Sequence, residues 1–421
     1  LINKIKGVFK KQQLYSQATI LFLAASLGNL FSLLYHFFMV RALSPQDYGV
    51  MSTLFACTAF FAMPTGNIQI TLTRFIARYH GMGSKSAIVR LLKGISGRIF
   101  LLGAIVAAVI FIGAQSIANY LHIDSLMPVY SMAGVVVASL LLPVTMAGLQ
   151  GLQHFFSLGL SMICMNLGKL ILAVVFVWLG FGVTGALSSL TAGVLIGAII
   201  AFAILKISIR NLNFKKDTNI DVNFREIYLY ILPVSLATLS FVMLTHLDLI
   251  LVKHFFTPLE AGYYSIAQMI GKMVLFLPSA ICMVMLPKVA SSHAKEEETI
   301  SHLKHSTIYI AALVIFAASV IIVFPEHMVK LFTGKAYPQC YNLVRLFAIS
   351  MGFFAICFNF LLYYLSLNRI KLMTPFLIVL VLEASLIYLW HNSLSQILGI
   401  VISAAVVLFL ANIIIIKKNF T

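Results

Sequence analysis

Lys272 follows Gln268 by one helical turn inside a long apolar run, and Lys169 follows Asn166 by three residues inside another. Residues three and four apart share a helix face, so each pair predicts a polar stripe on an otherwise apolar helix. A charged side chain in such surroundings costs about 3 kcal/mol unless it meets water or a partner, which makes these few residues the candidates for function. A cationic stripe suits an anionic group, because it offsets the water that a phosphate gives up. The competing reading for both lysines is an internal salt bridge or helix packing. Arg74 and Arg98 sit near the ends of two other apolar runs. There they would receive an anionic headgroup at its entrance, or only anchor the helix ends by snorkelling.

Three acid–base residues accompany them. Asp248 and His246 fall in one apolar run and Glu383 in the middle of another. A carboxylate so placed can take up H+ or Na+; the plainer reading is a fixed pair of Asp248 with Lys272 or Lys253. His246 and Asp248 are two residues apart, so they do not share a helix face and a direct dyad is not expected. Cofactor chemistry finds no support. Cys57, Cys164, Cys282, Cys340 and Cys357 are scattered without a Cys-x-x-Cys pair and read as small core residues. Gly81-Met82-Gly83-Ser84-Lys85-Ser86 lacks the spacing and the preceding strand of a phosphate loop.

The elements that must position these residues follow from composition. With 61% hydrophobic and 10% charged residues, the chain belongs in a lipid bilayer. A net charge of +17 would suggest nucleic acid in a soluble protein, but here the basic residues sit in short clusters between apolar runs, and no nucleic-acid partner is expected. Runs of bilayer-crossing length predict twelve spans, near 14–40, 48–78, 94–115, 128–150, 155–180, 183–206, 226–254, 261–288, 306–329, 338–366, 372–390 and 394–416. Pro64 with Gly66, Pro233 and Pro278 are the expected bend sites. Most basic residues, including Lys4, Lys6, Lys10, Lys11 and the clusters from Arg74 to Arg98 and from Lys206 to Arg225, fall on one side. The positive-inside rule makes that side cytoplasmic, together with both termini. The chain opens on Leu1 rather than Met, and a native start that lies upstream or has been altered is the expectation.

One phrase occurs twice, half a chain apart: Ser44-Pro45-Gln46-Asp47-Tyr48-Gly49 is answered by Thr257-Pro258-Leu259-Glu260-Ala261-Gly262. Each copy offers a hydroxyl cap, a proline for the first turn and an acid for the positive end of the helix dipole. Repetition at half the length implies two kindred bundles, 1–210 and 226–421, joined by a polar cytoplasmic linker at 211–225. Six spans in each make them parallel repeats. The fold class expected is all-α and polytopic, with twelve transmembrane helices in two six-helix lobes related by pseudo-two-fold symmetry along the membrane normal.

Arg41 through Gly49, Leu247-Asp248, and Gly262-Tyr263-Tyr264-Ser265 together resemble the oligosaccharide flippases of the multidrug/oligosaccharidyl-lipid/polysaccharide exporter superfamily, and the twelve-span layout extends the likeness over the whole chain. The resemblance implies two lobes around a central cavity that opens alternately to the two sides. It implies a substrate of undecaprenyl-pyrophosphate-linked sugar units for O-antigen, capsule or related polymers, moved across a bacterial cytoplasmic membrane, with polysaccharide polymerase machinery as a partner. It brings no set of catalytic residues, so the chain reads as a transporter and not an enzyme. Two other readings compete with it. A multidrug/cation antiporter would want anionic and aromatic groups where Lys169 and Lys272 stand. A membrane polysaccharide polymerase would want an acid or arginine cluster on a sizeable outer loop.

Overall fold

The computed structural model describes residues 2–212, 222, 224–278, 289, 300–367 and 369–420, and among them there is helix and no strand. In chain order the helices are α1 (Ile2–Ala42), α2 (Pro45–Gly81), α3 (Lys85–Tyr120), α4 (Met127–Gly151), α5 (Phe155–Trp178), α6 (Gly182–Arg210) and α7 (Phe224–Leu244). They continue with α8 (Leu247–Phe255), α9 (Pro258–Phe276), α10 (Ile300–Val323), α11 (Pro325–Thr333), α12 (Pro338–Ser366), α13 (Thr374–Leu389) and α14 (Leu394–Phe420). Eleven of them are long and apolar enough to cross a membrane. The remaining expected span, 261–288, coincides with α9 over its first part, and its residues 279–288 lie outside the described ones. The all-α polytopic class read from the sequence is the class observed.

Two expected spans are interrupted. The seventh breaks at Thr245 and His246, whose amides bond to the carbonyls of Val242 (3.2 Å) and Met243 (3.1 Å) in a tightened last turn. Thr245 Oγ1 donates to the carbonyls of Phe241 (3.3 Å) and Val242 (3.1 Å), and His246 Nδ1 lies 3.1 Å from the Val242 carbonyl. Such back-bonding satisfies carbonyls that a continuing helix would use. The ninth breaks at Phe324, because Pro325 has no N–H to continue α10 and instead starts α11. By contrast α2 and α7 run unbroken through Pro64 and Pro233.

The duplicated phrase does cap two helices. Thr257 and Glu260 form a capping box on α9: Glu260 N donates to Thr257 Oγ1 (3.4 Å) and Thr257 N donates to Glu260 Oε2 (3.1 Å). On α2, Asp47 N donates to Ser44 Oγ (3.1 Å) and Ser44 Oγ to Asp47 Oδ2 (2.7 Å). The closing glycine of each copy has a second use that capping does not explain. A Cβ on Gly49 would lie 3.0 Å from Gly262 N, and one on Gly262 would collide with the carbonyl oxygen of Pro45. The two copies therefore cross backbone to backbone, the close approach that small residues permit where lipid offers no hydrophobic drive to association.

Close contacts divide the chain into two compact units. One comprises Leu1–Ala42, Pro64–Asn119 and Asp124–Ile231, and the other Leu43–Met63, Tyr120–Ile123 and Leu232–Thr421. The lobes read from chain order are a different partition, since α2 changes unit at Met63/Pro64 and α7 at Ile231/Leu232, just before Pro233. Most of the expected linker, 213–221, lies outside the described residues. In the first unit α5 packs along α6 and α1. In the second, α12 is the central helix, set against α9, α10 and α14, with Phe347, Phe354, Tyr363 and Tyr364 wholly buried.

Candidate functional site

Three expected residues of the second unit, Lys272, Gln268 and Asp248, form one hydrogen-bonded chain. Tyr264, Gln268 and Lys272 follow one another at four-residue intervals on α9, so they share a face. Lys272 Nζ donates to Gln268 Oε1 (3.1 Å). The Gln268 amide then donates to Asp248 Oδ1 (3.0 Å) and Oδ2 (3.2 Å). Tyr264 completes the set by donating its hydroxyl to Asp248 Oδ2 at 2.7 Å. All four are buried, Asp248 at 0% and Lys272 at 9% exposure. The break between α7 and α8 sets this geometry, because it puts Asp248 in the first turn of α8, at the positive end of a helix dipole.

The pair weighed from sequence, Asp248 with Lys272, is thus relayed through a carboxamide and not direct. Glu383 stands on α13, which packs against α8. It is 1% exposed, and neither carboxylate oxygen has a hydrogen-bond partner among the described residues. His246 does not join the chain; its Nδ1 stays with Thr245 Oγ1 (3.0 Å) and the Val242 carbonyl. Tyr264 was not among the expected site residues, although its spacing from Gln268 equals that of Gln268 from Lys272.

The first unit holds Lys169 differently. Gly193 and Gly197 of α6, spaced as Gly-x-x-x-Gly, let α5 approach so closely that a Cβ on Gly193 would lie 2.6 Å from Lys169 Cβ. Lys169 Nζ donates to Ser32 Oγ of α1 (2.9 Å) and stands 4.9 Å from the centre of the Tyr35 ring, a cation–π contact. Tyr35 is in turn fixed by donating to the Ala186 carbonyl (3.0 Å). Among the described residues no carboxylate hydrogen-bonds or ion-pairs with Lys169. Asn166 spends its amide on the Met162 carbonyl of its own helix (3.0 Å). A further polar contact, unnoticed in the sequence, joins Gln69 Nε2 of α2 to Gln150 Oε1 of α4 (3.1 Å).

Arg74 and Arg98 are both exposed. The Arg98 guanidinium lies over the Phe224 ring (4.2 Å) and donates to Tyr228 Oη (3.1 Å), tying α3 to the start of α7. The thiols of Cys57, Cys164, Cys340 and Cys357 are free, and Cys282 lies outside the described residues. Among the described residues no group of three or more His, Cys, Asp or Glu is arranged to hold a metal ion.

Comparison with known proteins follows the same lines. A family model described as "Polysaccharide biosynthesis protein" matches residues 14–293. An uncharacterised membrane protein of Methanocaldococcus jannaschii is 24% identical over 273 residues, 60% of this chain and 65% of that relative, so the chain spans just under two thirds of its length. Among solved structures, an inward-facing multidrug resistance MATE family transporter of the MOP superfamily superposes with a TM-score of 0.73, 15% identity, and coverage of 94% of this chain and 96% of that one. Lipid II flippase MurJ in an inward closed conformation gives 0.69, 13%, 93% and 87%. A MOP superfamily transporter from Pyrococcus furiosus, whose binding pocket is described as reversed in polarity, gives 0.61, 15%, 95% and 94%. At these identities the likeness is one of fold.

Proposed function

The chain belongs to the polysaccharide biosynthesis protein family, as its duplicated phrase implied, and on that premise we propose that it flips undecaprenyl-pyrophosphate-linked oligosaccharide from the inner to the outer leaflet of a bacterial cytoplasmic membrane. The fold, shared with a multi-pass MATE family transporter and a lipid II flippase, supports transport rather than catalysis. The observation that carries the substrate reading is Lys272, a buried ammonium that, among the described residues, donates its hydrogen bond to a carboxamide oxygen. An anionic headgroup gives it a far better partner, since charge-assisted bonds are roughly twice as strong as neutral ones.

The hydrogen-bonded chain also supplies a coupling. At rest the charge of Lys272 is balanced by Asp248 through Gln268. When an anion takes Lys272, Asp248 loses that balance and, with Glu383, whose carboxylate has no hydrogen-bond partner among the described residues, favours uptake of H+ or Na+. By linkage the cation then favours release of Lys272 from the anion's competitor, so anion and cation uptake strengthen each other. His246 caps the α7 end of this region. Lys169 and Asn166 form a second cationic station, and Arg74 and Arg98 receive the headgroup at the cytoplasmic entrance. The lobes 1–210 and 226–421, with 211–225 between them, alternate access from one side to the other, both termini being cytoplasmic. Polysaccharide polymerase machinery consumes the product.

Deleting the gene tests this reading: the lipid-linked oligosaccharide should accumulate on the inner leaflet and be identifiable by mass spectrometry. Unchanged intermediates in the deletion strain would refute it. One observation favours a second reading, a multidrug/cation antiporter, namely the two buried carboxylates Asp248 and Glu383. That reading requires efflux of ethidium by cells whose other pumps are absent.

A further inference from the structure

A crevice of about 310 Å3 opens between α3, α4 and α6 of the first unit. Along α4 its wall runs from Tyr130 through Ala133 and Gly134 to Leu141, one helix face, and α3 contributes Ala107 and Phe111. Small side chains at 107, 133 and 134 leave the space, and α3 makes only sparse backbone contact with α4 and α6. The Phe111 and Tyr130 rings stack at 4.9 Å with 18° between their planes and close one end.

Chemistry and place select the occupant. All three helices are long and apolar enough to cross a membrane, and the crevice adjoins an apolar belt on α3 that includes Ile105, Val109 and the 86% exposed Ile112. Its wall gives water little to bind: the Thr191 hydroxyl donates to the Leu187 carbonyl of its own helix, and an apolar cavity takes an apolar guest. From Tyr130 to Leu141, at about 1.5 Å per helical residue, is roughly 16 Å, half of a hydrocarbon core of about 30 Å. Phospholipid is the most concentrated apolar species at such a surface, so mass action favours its acyl chain over any rarer lipid.

We infer that this crevice is a binding site for a single phospholipid acyl chain, which fills the gap between α3 and the α4–α6 pair. The inference is independent of the flippase reading, because it concerns a solvating lipid and not the cargo.

Bromine-labelled acyl chains quench tryptophan on contact, and the chain has Trp178 and Trp390 to replace. With both changed to Phe, a Val137→Trp reporter on the half-buried α4 wall of the crevice and an Ile112→Trp reporter on the belt are compared in vesicles of phosphatidylcholine mixed with its dibrominated form. The crevice reporter should lose fluorescence in direct proportion to the brominated fraction, as one chain in one site requires. The belt reporter should fall more steeply, because several chains touch it. Ala133→Leu, and from the opposite wall Ala107→Leu, should each cut quenching at position 137 at least twofold and leave position 112 unchanged. Identical curves for the two reporters, or indifference to both filling substitutions, would overturn the inference. So would relief of quenching at position 137 by equimolar polyprenyl phosphate, which would identify an isoprenoid site.

Discussion

Lys272 and Lys169 are both cations in membrane-spanning surroundings, and the two units of the chain accommodate them by opposite means. Lys272 is joined through Gln268 to Asp248, so its charge has a counter-charge two hydrogen bonds away. Lys169 has a hydroxyl and an aromatic face, and no paired carboxylate among the described residues. The difference teaches that a lysine inside a membrane protein is not one kind of feature. A balanced lysine belongs to a network that fails as a unit and exchanges its counter-charge when an anion arrives, whereas one held by neutral groups has no counter-charge to exchange.

The largest effect should come from taking away the counter-charge. Asp248→Ala leaves the donors of Tyr264 and Gln268 without an acceptor and Lys272 without balance, and should destabilise the protein by about 3–5 kcal/mol, read from denaturant titration in micelles. Asp248→Leu with Lys272→Met should recover much of that loss, because removing both charges is less costly than stranding one. Failure of the double variant to recover would break the network account.

The next effect sharpens the contrast between the lysines. Lys272→Met should cost about 1–3 kcal/mol, the penalty for orphaning the Gln268 oxygen and upsetting Asp248. Lys169→Met should be close to neutral, since it strands only the Ser32 hydroxyl, which can turn to its own helix. Equal losses in the same titration would show that the two sites are alike after all. Smallest is Tyr264→Phe, which removes one of the three side-chain hydrogen bonds to Asp248 and should cost about 1 kcal/mol. A loss as large as that of Asp248→Ala would make Tyr264, and not the carboxylate, the centre of the chain.

Much of this was legible before any coordinates. Spans were readable because a bilayer demands about 20 apolar residues in sequence, and the caps of α2 and α9 because hydroxyl, proline and acid have fixed positions in a first turn. Lys272 with Gln268 was readable because helical spacing defines a face. What escaped was contact between distant segments. The meeting of Gly49 with Gly262, the three bonds that Tyr264 and Gln268 give Asp248, and the seat of Lys169 on Ser32 and Tyr35 all depend on tertiary packing, which local periodicity does not encode. The break at Thr245 and His246 escaped for another reason. Proline is the familiar signal for interrupting a span, and none stands at this break, where α7 closes in a tightened turn. The even division of the chain by its repeat also gave no hint that α2 and α7 each change packing unit partway along.

Translocation by reconstituted protein tests the central claim most directly. Proteoliposomes carrying Lys272→Ala should lose flipping of a pyrophosphate-linked oligosaccharide while inserting as well as the unaltered chain, and Lys272→Arg should restore part of it by returning the cation. Unaltered flipping by Lys272→Ala, at equal protein density, would contradict the account.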